Sequence, residues 1–496
     1  MDQDSTIYDL LVIGGGINGV GIAADAAGRG LQVALCEMSD LASATSSAST
    51  KLIHGGLRYL EQYEFRLVRE ALAEREVLLR NAPHIVHPLR FHLPHRPHLR
   101  PRWMIRAGLF LYDFLSTRVT LPRSRSMVFG QDSPLLPAFK RGFEYFDAQV
   151  DDSRLVVLLA MLAREHGASI RTRTRCTAAV ENDGIWHVAL EDTRSGEVST
   201  LSARMLVNAA GPWVSQLASS VLPHANHHDV RLVKGCHIVV PRIHSGDEAF
   251  LLQNSDERVV FVIPWQEHFS LIGTTEEDFS GNPADARIAD WEVEYLVRIV
   301  NECFRKSISA ADVLHSLAGV RPLVGSNEKS ASKVSRDYTL ELSLSPAPVL
   351  TVYGGKITTY RMLAESAMLH IRKVFPALSG NWTEHAPLPG ADFASREALI
   401  NTLSRRCAWL PRSVLRRWAD SYGSLSLRLL QGVSTAADMG TEFGHGLTAR
   451  EVDYLCREEW ALDIDDILWR RSKLGLYFTA AERESLGAYL ASRDSA

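Results

Sequence analysis

The sequence predicts an α/β protein: a mainly parallel sheet opening on a dinucleotide-binding βαβ unit, then a second, β-rich region, then a helical C-terminal region. Three observations carry that expectation. Leu10 to Glu37, LLVIGGGINGVGIAADAAGRGLQVALCE, runs from an apolar stretch through Gly14, Gly16 and Gly19 in G-x-G-x-x-G spacing into an Ala-rich helical pattern and a second apolar stretch. Between about His224 and Ala318 the chain turns alternating and β-rich, as in RLVKGCHIVVPR and RVVFVIPWQEHFSLIGTT. From 390 onward the pattern is helical, with Trp409, Trp418, Trp460 and Trp469 set within it.

In the βαβ unit each glycine has a reason. Gly14 permits the tight turn, Gly16 lets backbone approach a pyrophosphate, and Gly19 lets helix and strand pack closely, while the helix start, with Asn18, offers N–H groups and partial positive charge. Glu37 closes the second strand where a carboxylate can accept from ribose hydroxyls. NAD and FAD both use this motif, so the unit by itself leaves the choice open.

At 496 residues, two or three domains are expected. A formal charge of -4 argues against a protein basic overall, so any cationic surface must be local. Six scattered cysteines without a C-x-x-C pair signal neither a disulfide framework nor a metal site. The acidic start MDQDSTIYDLL does not resemble a secretory signal, and no apolar run approaches the ~20 residues of a membrane span. A cytosolic protein with at most peripheral membrane contact is expected.

After Glu37, Ser43, Thr45, Ser46, Ser47, Ser49 and Thr50 crowd one loop that ends at Lys51. The hydroxyls and loop N–H groups suit a pyrophosphate, though an ordinary polar loop reads the same way. His54-Gly55-Gly56-Leu57-Arg58-Tyr59 is more telling, because it joins a titratable base, two glycines, a cation and a phenol within six residues.

These residues resemble a known family. IGGGINGVGIAADAAGRG and SSASTKLIHGGLRYLEQYEFRLVREAL are similar to the FAD-dependent respiratory glycerol-3-phosphate dehydrogenases, and so are KRGFEYFDAQVDDSRL, VNAAGPWV, LVKGCHIVVP, FVIPW, LIGTT, GVRPL, YGGKITTYR and EEW through DDILWRRSKLG. The resemblance covers nearly the whole chain. It implies a Rossmann-like FAD-binding domain of the D-amino-acid-oxidase/glutathione-reductase type assembled from 1–90, 150–223 and 319–386, a substrate- and membrane-facing domain from 91–149 and 224–318, and a helical domain over 390–496.

Tyr59 to about Arg80 reads as an ordinary surface helix with Leu67, Ala71, Leu72 and Leu78 on one face. Arg90 to Arg125 departs from the rest, with eight arginines, three histidines and one acid, Asp113. Trp103, Met104, Ile105, Leu109, Phe110, Leu111 and Phe114 give it an apolar side, which suits an anionic lipid interface; a buried helix with arginines serving protein contacts is the alternative. Further helix is expected at Arg154 to Gly167 and strands at Ser169 to Leu190. Met205 to Ala209 should be a strand ending at Gly211-Pro212-Trp213, which the resemblance places beside FAD. His237 lies inside a strand, where a histidine is more often structural than catalytic. Leu350 to Tyr353 should turn at Gly354-Gly355-Lys356 into a helix with Thr358 or Thr359 as N-cap and Met362, Leu363, Ala367 and Leu369 inward. That helix start and Lys356 would stabilise negative charge on a reduced flavin.

One glycine fingerprint suggests one bound cofactor, which fits FAD better than a nicotinamide shuttle. Arg58, Tyr59, Arg321 and Lys356 are the candidates to hold a phosphate dianion, which requires several charge-assisted hydrogen bonds. The resemblance implies oxidation of sn-glycerol 3-phosphate to dihydroxyacetone phosphate, with hydride passing to flavin N5, Arg321 at the reacting centre, and electrons going on to a membrane quinone. His54 and His237 are equal candidates for the base that takes the hydroxyl proton. Expected partners are an anionic lipid surface at the cytoplasmic face of the inner membrane and a second copy in a homodimer, with no nucleic acid. An oxygen-using oxidase, an RNA-acting flavoprotein with Arg90 to Arg125 as its phosphate patch, and a non-catalytic FAD binder are the alternatives.

Overall fold

The computed structural model describes residues 6–61, 63–96, 99–117, 119–222, 230–256, 258–324 and 338–494. Its first sheet grows from β1 (Ile7–Ile13), which pairs in parallel with β2 (Val33–Cys36) on one side and with Val198–Asn208 on the other. Parallel pairing continues outward to Ser169–Arg171 and Val349–Tyr353, and Thr339–Ser343 closes one edge antiparallel. Strands of such a sheet must be apolar on both faces. Accordingly Leu10 and Val12 pack into a core shared with the helices Ile17–Gly28, Asp152–Glu165 and Tyr360–Ile371, while Leu11 and Ile13 pack under the hairpin Thr174–Asn182/Ile185–Asp192.

The second sheet runs in the order Glu277–Asp278, Val230–Pro241, Phe269–Gly273, Val259–Trp265, Ala249–Gln253, Val86–Pro94, Arg141–Val150, Leu52–Ile53, with His315–Val324 antiparallel to Val230–Pro241. Val239, Leu271 and Ile263 face the helices Phe65–Asn81 and Arg102–Phe114; Ile238, Val240 and Val262 face Asp290–Asn301. The sheets do not change over at the boundaries expected from sequence. Leu52–Ile53, Val86–Pro94 and His315–Val324 all pair into the second sheet, although the expected nucleotide-binding part includes 1–90 and most of that last strand. A two-residue strand has no periodicity to read, and the His315 strand is held by its partner's register. The expected start of the β-rich region at His224 lies outside the described residues, as do His98 and Arg118 of the basic segment.

Three other expectations are corrected. The helix Phe65–Asn81 is not an ordinary surface helix: Glu74 and Arg75 are buried, paired with Arg361 and with Asp147. In Arg102–Phe114 the apolar residues divide, with Ile105 and Leu109 buried on one face beside Tyr112, and Trp103, Phe110 and Phe114 exposed on the other at 73 %, 56 % and 51 %. Residues 3–4 apart share a helix face, so one segment contains two apolar stripes. Thr359 is the N-cap of Tyr360–Ile371 by position but makes no side-chain cap, and Leu369 is exposed while Ala364, Met368 and Ile371 join Leu363 and Ala367 inside.

The C-terminal helices Arg396–Arg406, Arg412–Tyr422, Ala449–Glu459 and Ala480–Asp494 share one continuous core with Asp152–Glu165. Trp418 is fully buried there, its indole N–H donating to Glu451, while Trp469 stacks on His315 at 3.9 Å.

Candidate active site

Where β1 ends, the chain turns at Gly14 with φ +117°, and a Cβ there would lie 2.5 Å from the Ala209 carbonyl oxygen. A Cβ at Gly19 would stand 1.9 Å from the Gly14 carbonyl oxygen, so the third glycine serves helix–strand packing and does not line the cavity. Ser46 Oγ accepts from the Ile17 N–H at 3.0 Å, which folds the hydroxyl loop over the helix start. Glu37 accepts from Gly15 N at 2.7 Å and Ser39 N at 2.8 Å; burial raises its carboxyl above the ordinary range, and these donors limit the rise. Thr45 Oγ1 donates to the Val320 carbonyl at 2.6 Å, joining the loop to the strand of Arg321.

The cavity formed here measures about 1580 Å³. That exceeds the roughly 300–1,000 Å³ of ordinary small-molecule sites and leaves room for a dinucleotide and a small substrate. Its walls bring together Gly14, Gly16, Asn18, Glu37, Thr45, Ser46, Ser47, His54, Arg58, Tyr59, Gly211, Arg321, Gly354, Gly355, Lys356 and Thr358. Sixteen of the residues singled out in the sequence thus meet in one space.

The cations gather around Glu276 and Tyr59. Arg321 Nη1 donates to Glu276 Oε1 at 3.3 Å, and Arg58 Nη1 lies 3.7 Å from Glu276 Oε2. Lys356 Nζ stands 3.8 Å from the centre of the Tyr59 ring, a cation–π contact. Burial lowers the Arg321 guanidinium somewhat, with Tyr59 acting against it. His54 approaches from the glycine turn, its N–H 3.4 Å from Thr358 Oγ1. That turn is braced from behind: the Gly55 N–H donates to Tyr112 OH at 2.8 Å, and Tyr112 OH donates to Asp147.

Besides Gly19, two candidates are placed elsewhere. Lys51 is buried beneath the loop, with Nζ 2.7 Å from Asp152 Oδ1 and 3.0 Å from the Ser47 carbonyl oxygen, where it supports the loop from below. His237 is fully buried, its Nε2 3.0 Å from Thr50 Oγ1. Burial, and then the charges of Arg321 and Lys51, bring its pKa down to about 3. Thr50, not the imidazole, reaches the cavity wall. Glu276 and Tyr112 were missed, because their partners lie far off in sequence and no local pattern marks them.

Residues 9–361 match the family described as FAD dependent oxidoreductase, and 381–490 match the C-terminal domain of alpha-glycerophosphate oxidase. A glycerol-3-phosphate dehydrogenase of Pseudomonas aeruginosa is 56% identical over 98% of this chain and 95% of its own length. The chain belongs to the FAD-dependent glycerol-3-phosphate dehydrogenases. A D-erythritol 1-phosphate dehydrogenase of Brucella abortus is 48% identical over 96% of each chain. Among solved structures, the glycerol-3-phosphate dehydrogenase of Bacillus halodurans complexed with FAD superposes with a TM-score of 0.78, at 26% identity over 99% of this chain and 92% of that one.

FAD is this dehydrogenase family's cofactor, and the cradle fits it. Asn18 Oδ1 is buried at the cavity wall with no hydrogen-bond partner among the described residues, the kind of acceptor a bound ligand satisfies. The segment between the dehydrogenase's last two helices reinforces the same region: Arg471 is fully buried against Asp40 at 2.6 Å, and Lys473 Nζ meets Asp151 at 2.7 Å, one residue from Lys51's partner.

Proposed function

We propose that this chain oxidises sn-glycerol 3-phosphate to dihydroxyacetone phosphate and delivers the electrons to a membrane quinone. The observation that carries this reading is the meeting of Arg58, Tyr59, Arg321 and Lys356 in the wall of the same cavity that the glycine turns and hydroxyl loop line. Bound FAD supplies the two-electron acceptor for the hydride on the substrate's carbinol carbon. Arg58 and Arg321 grip the phosphate with planar forks, and Lys356 adds a third positive charge. His54, in the cavity wall, takes the hydroxyl proton at a ring nitrogen. His237 shapes the wall through Thr50.

The membrane arm of the reading rests on Arg102–Phe114, where Trp103, Phe110 and Phe114 are exposed and the cation Arg123 lies 4.7 Å from the Phe114 ring. No helix among the described residues is long and apolar enough to cross a membrane. The Brucella relative favours a second reading, in which the alcohol is a longer polyol phosphate gripped by the same cations. Anaerobic bleaching of the flavin by sn-glycerol 3-phosphate, compared with D-erythritol 1-phosphate, tests both; no bleaching by either removes the reading. Comparing quinone-analogue reduction with peroxide formation tests the acceptor, and dominant peroxide would favour an oxidase.

A further inference from the structure

One carboxylate bridges Arg58 and Arg321. Glu276 Oε1 accepts from Arg321 Nη1 at 3.3 Å, and its Oε2 lies 3.7 Å from Arg58 Nη1 as an ion pair. Its side chain is 8 % exposed against 24 % and 26 % for the two arginines, so the acid sits deeper than the cations it joins. The backbone beside it is anchored. Thr275 Oγ1 accepts from Cys236 N at 3.0 Å and donates to Glu292 Oε1 at 2.6 Å, and Glu292 is itself paired with Lys234 at 2.8 Å. Gly235 makes room for the arrangement, because a Cβ there would come within 2.9 Å of Thr274 Oγ1 and 3.1 Å of Arg321 Nη2.

We propose that Glu276 is a built-in competitor of the phosphate subsite: a phosphate monoester binds by displacing this carboxylate from Arg58 and Arg321, and the carboxylate's return promotes release. The inference rests on Arg58 and Arg321 being the phosphate grip proposed above. An end-on bidentate grip uses the Nη1–Nη2 edge of a guanidinium, and Nη1 of each arginine is the atom turned toward Glu276. A phosphate monoester carries close to two negative charges at neutral pH and a carboxylate one, so the ester wins the exchange. It wins by less than it would against uncharged neighbours. Singly charged anions gain little, so the competitor also selects for dianions, and a phosphorylated product does not linger.

The test uses the flavin-loaded Glu276→Gln enzyme, which keeps size and an acceptor oxygen but loses the charge. Inhibition constants for inorganic phosphate and dihydroxyacetone phosphate against sn-glycerol 3-phosphate are expected to tighten roughly tenfold, the scale of one charge-assisted hydrogen bond. Structural damage would weaken them instead. Unchanged or weaker inhibition in the flavin-loaded variant overturns the proposal and leaves the arginine grip standing. If phosphate does not compete in the unaltered enzyme and Arg321→Gln leaves KM for the substrate unchanged, the grip is wrong and the proposal falls with it. Should Glu276→Gln not fold, Glu276→Asp is measured in the same way: its shorter reach loosens both contacts, so tightening of roughly threefold supports the proposal and no tightening overturns it.

Discussion

Asn18 Nδ2 donates to the carbonyl oxygen of Gly354 at 2.9 Å, joining segments 336 positions apart. The bond ties the helix that follows the first glycine turn to the Gly354–Gly355 turn that leads to Lys356. Gly355 has φ +100°, and a Cβ there would lie 2.8 Å from Asn18 Nδ2, so a glycine leaves the room that the Asn18 amide fills. The cofactor cradle and the cation end of the cavity are therefore one mechanical unit.

Asn18→Ala should loosen that unit. Losing a partly buried hydrogen bond costs about 1–2 kcal/mol, so flavin should dissociate roughly tenfold faster. Fluorescence of released flavin after dilution measures this, and wild-type retention would count against the coupling.

Arg58→Ala and Arg321→Ala should each lower kcat/KM for sn-glycerol 3-phosphate by about 10²-fold or more, since truncating one partner of a charged pair costs about 2–5 kcal/mol. Flavin content should stay near that of the unaltered enzyme, because neither side chain supports the cradle. Steady-state kinetics on flavin-normalised protein decides, and an effect under about fivefold would place the phosphate elsewhere.

The two histidines should separate. His54→Gln is expected to reduce kcat by about 10²-fold or more and to abolish the acidic limb of the pH profile, as loss of a general base does. His237 is already neutral across the working range, its pKa being about 3, so His237→Gln should keep that limb and lose thermal stability. A pH profile unaltered in His54→Gln would exclude it as the base.

Liposome binding should depend on the outward stripe of Arg102–Phe114. Replacing Trp103, Phe110 and Phe114 together by Ser removes exposed apolar area and should reduce sedimentation with anionic vesicles by roughly tenfold or more. Leu109 is fully buried and would instead report on folding. Undiminished sedimentation of the triple variant would end the membrane assignment for this helix.

Acid stability should depend on Asp466. Burial pushes its carboxyl up, but Arg470, Arg471 and Arg173 more than offset this and hold it at about 2. A folded pKa below the unfolded value of about 3.9 means stability that is complete above about pH 5 and lost as pH falls through 2, worth about 2–3 kcal/mol. Asp466→Asn should lower Tm at neutral pH and flatten the acid limb of unfolding between pH 5 and 2. An unchanged acid limb would show that other carboxylates dominate there.

The βαβ unit was legible because its constraints are local. Gly14, Gly16, Gly19 and Glu37 lie within one turn–helix–strand, and steric exclusion at Gly14 and Gly19 involves backbone a few residues away or on a paired strand. Arg58, Arg321 and Lys356 stand out in the sequence beside Gly or Pro turns, but only the family resemblance implies that they meet, and nothing in their spacing shows it. The pairing Val233↔Arg321 and the fold of the loop at Gly56 bring them together, and register between distant strands is a property of the packed sheet.

The same division explains which alternatives stay open in the sequence. A histidine at 237 is written identically whether its ring faces a cavity or a Thr50 hydroxyl, and seven apolar residues between 103 and 114 do not say which face meets the core. The sequence by itself determined the cradle, the helical and strand periods and the residue types on offer. Only the tertiary structure decided which of those residues share a cavity, which charges are buried as pairs, and that one carboxylate stands between two arginines, because each of these is settled by contacts between segments that local physics leaves independent.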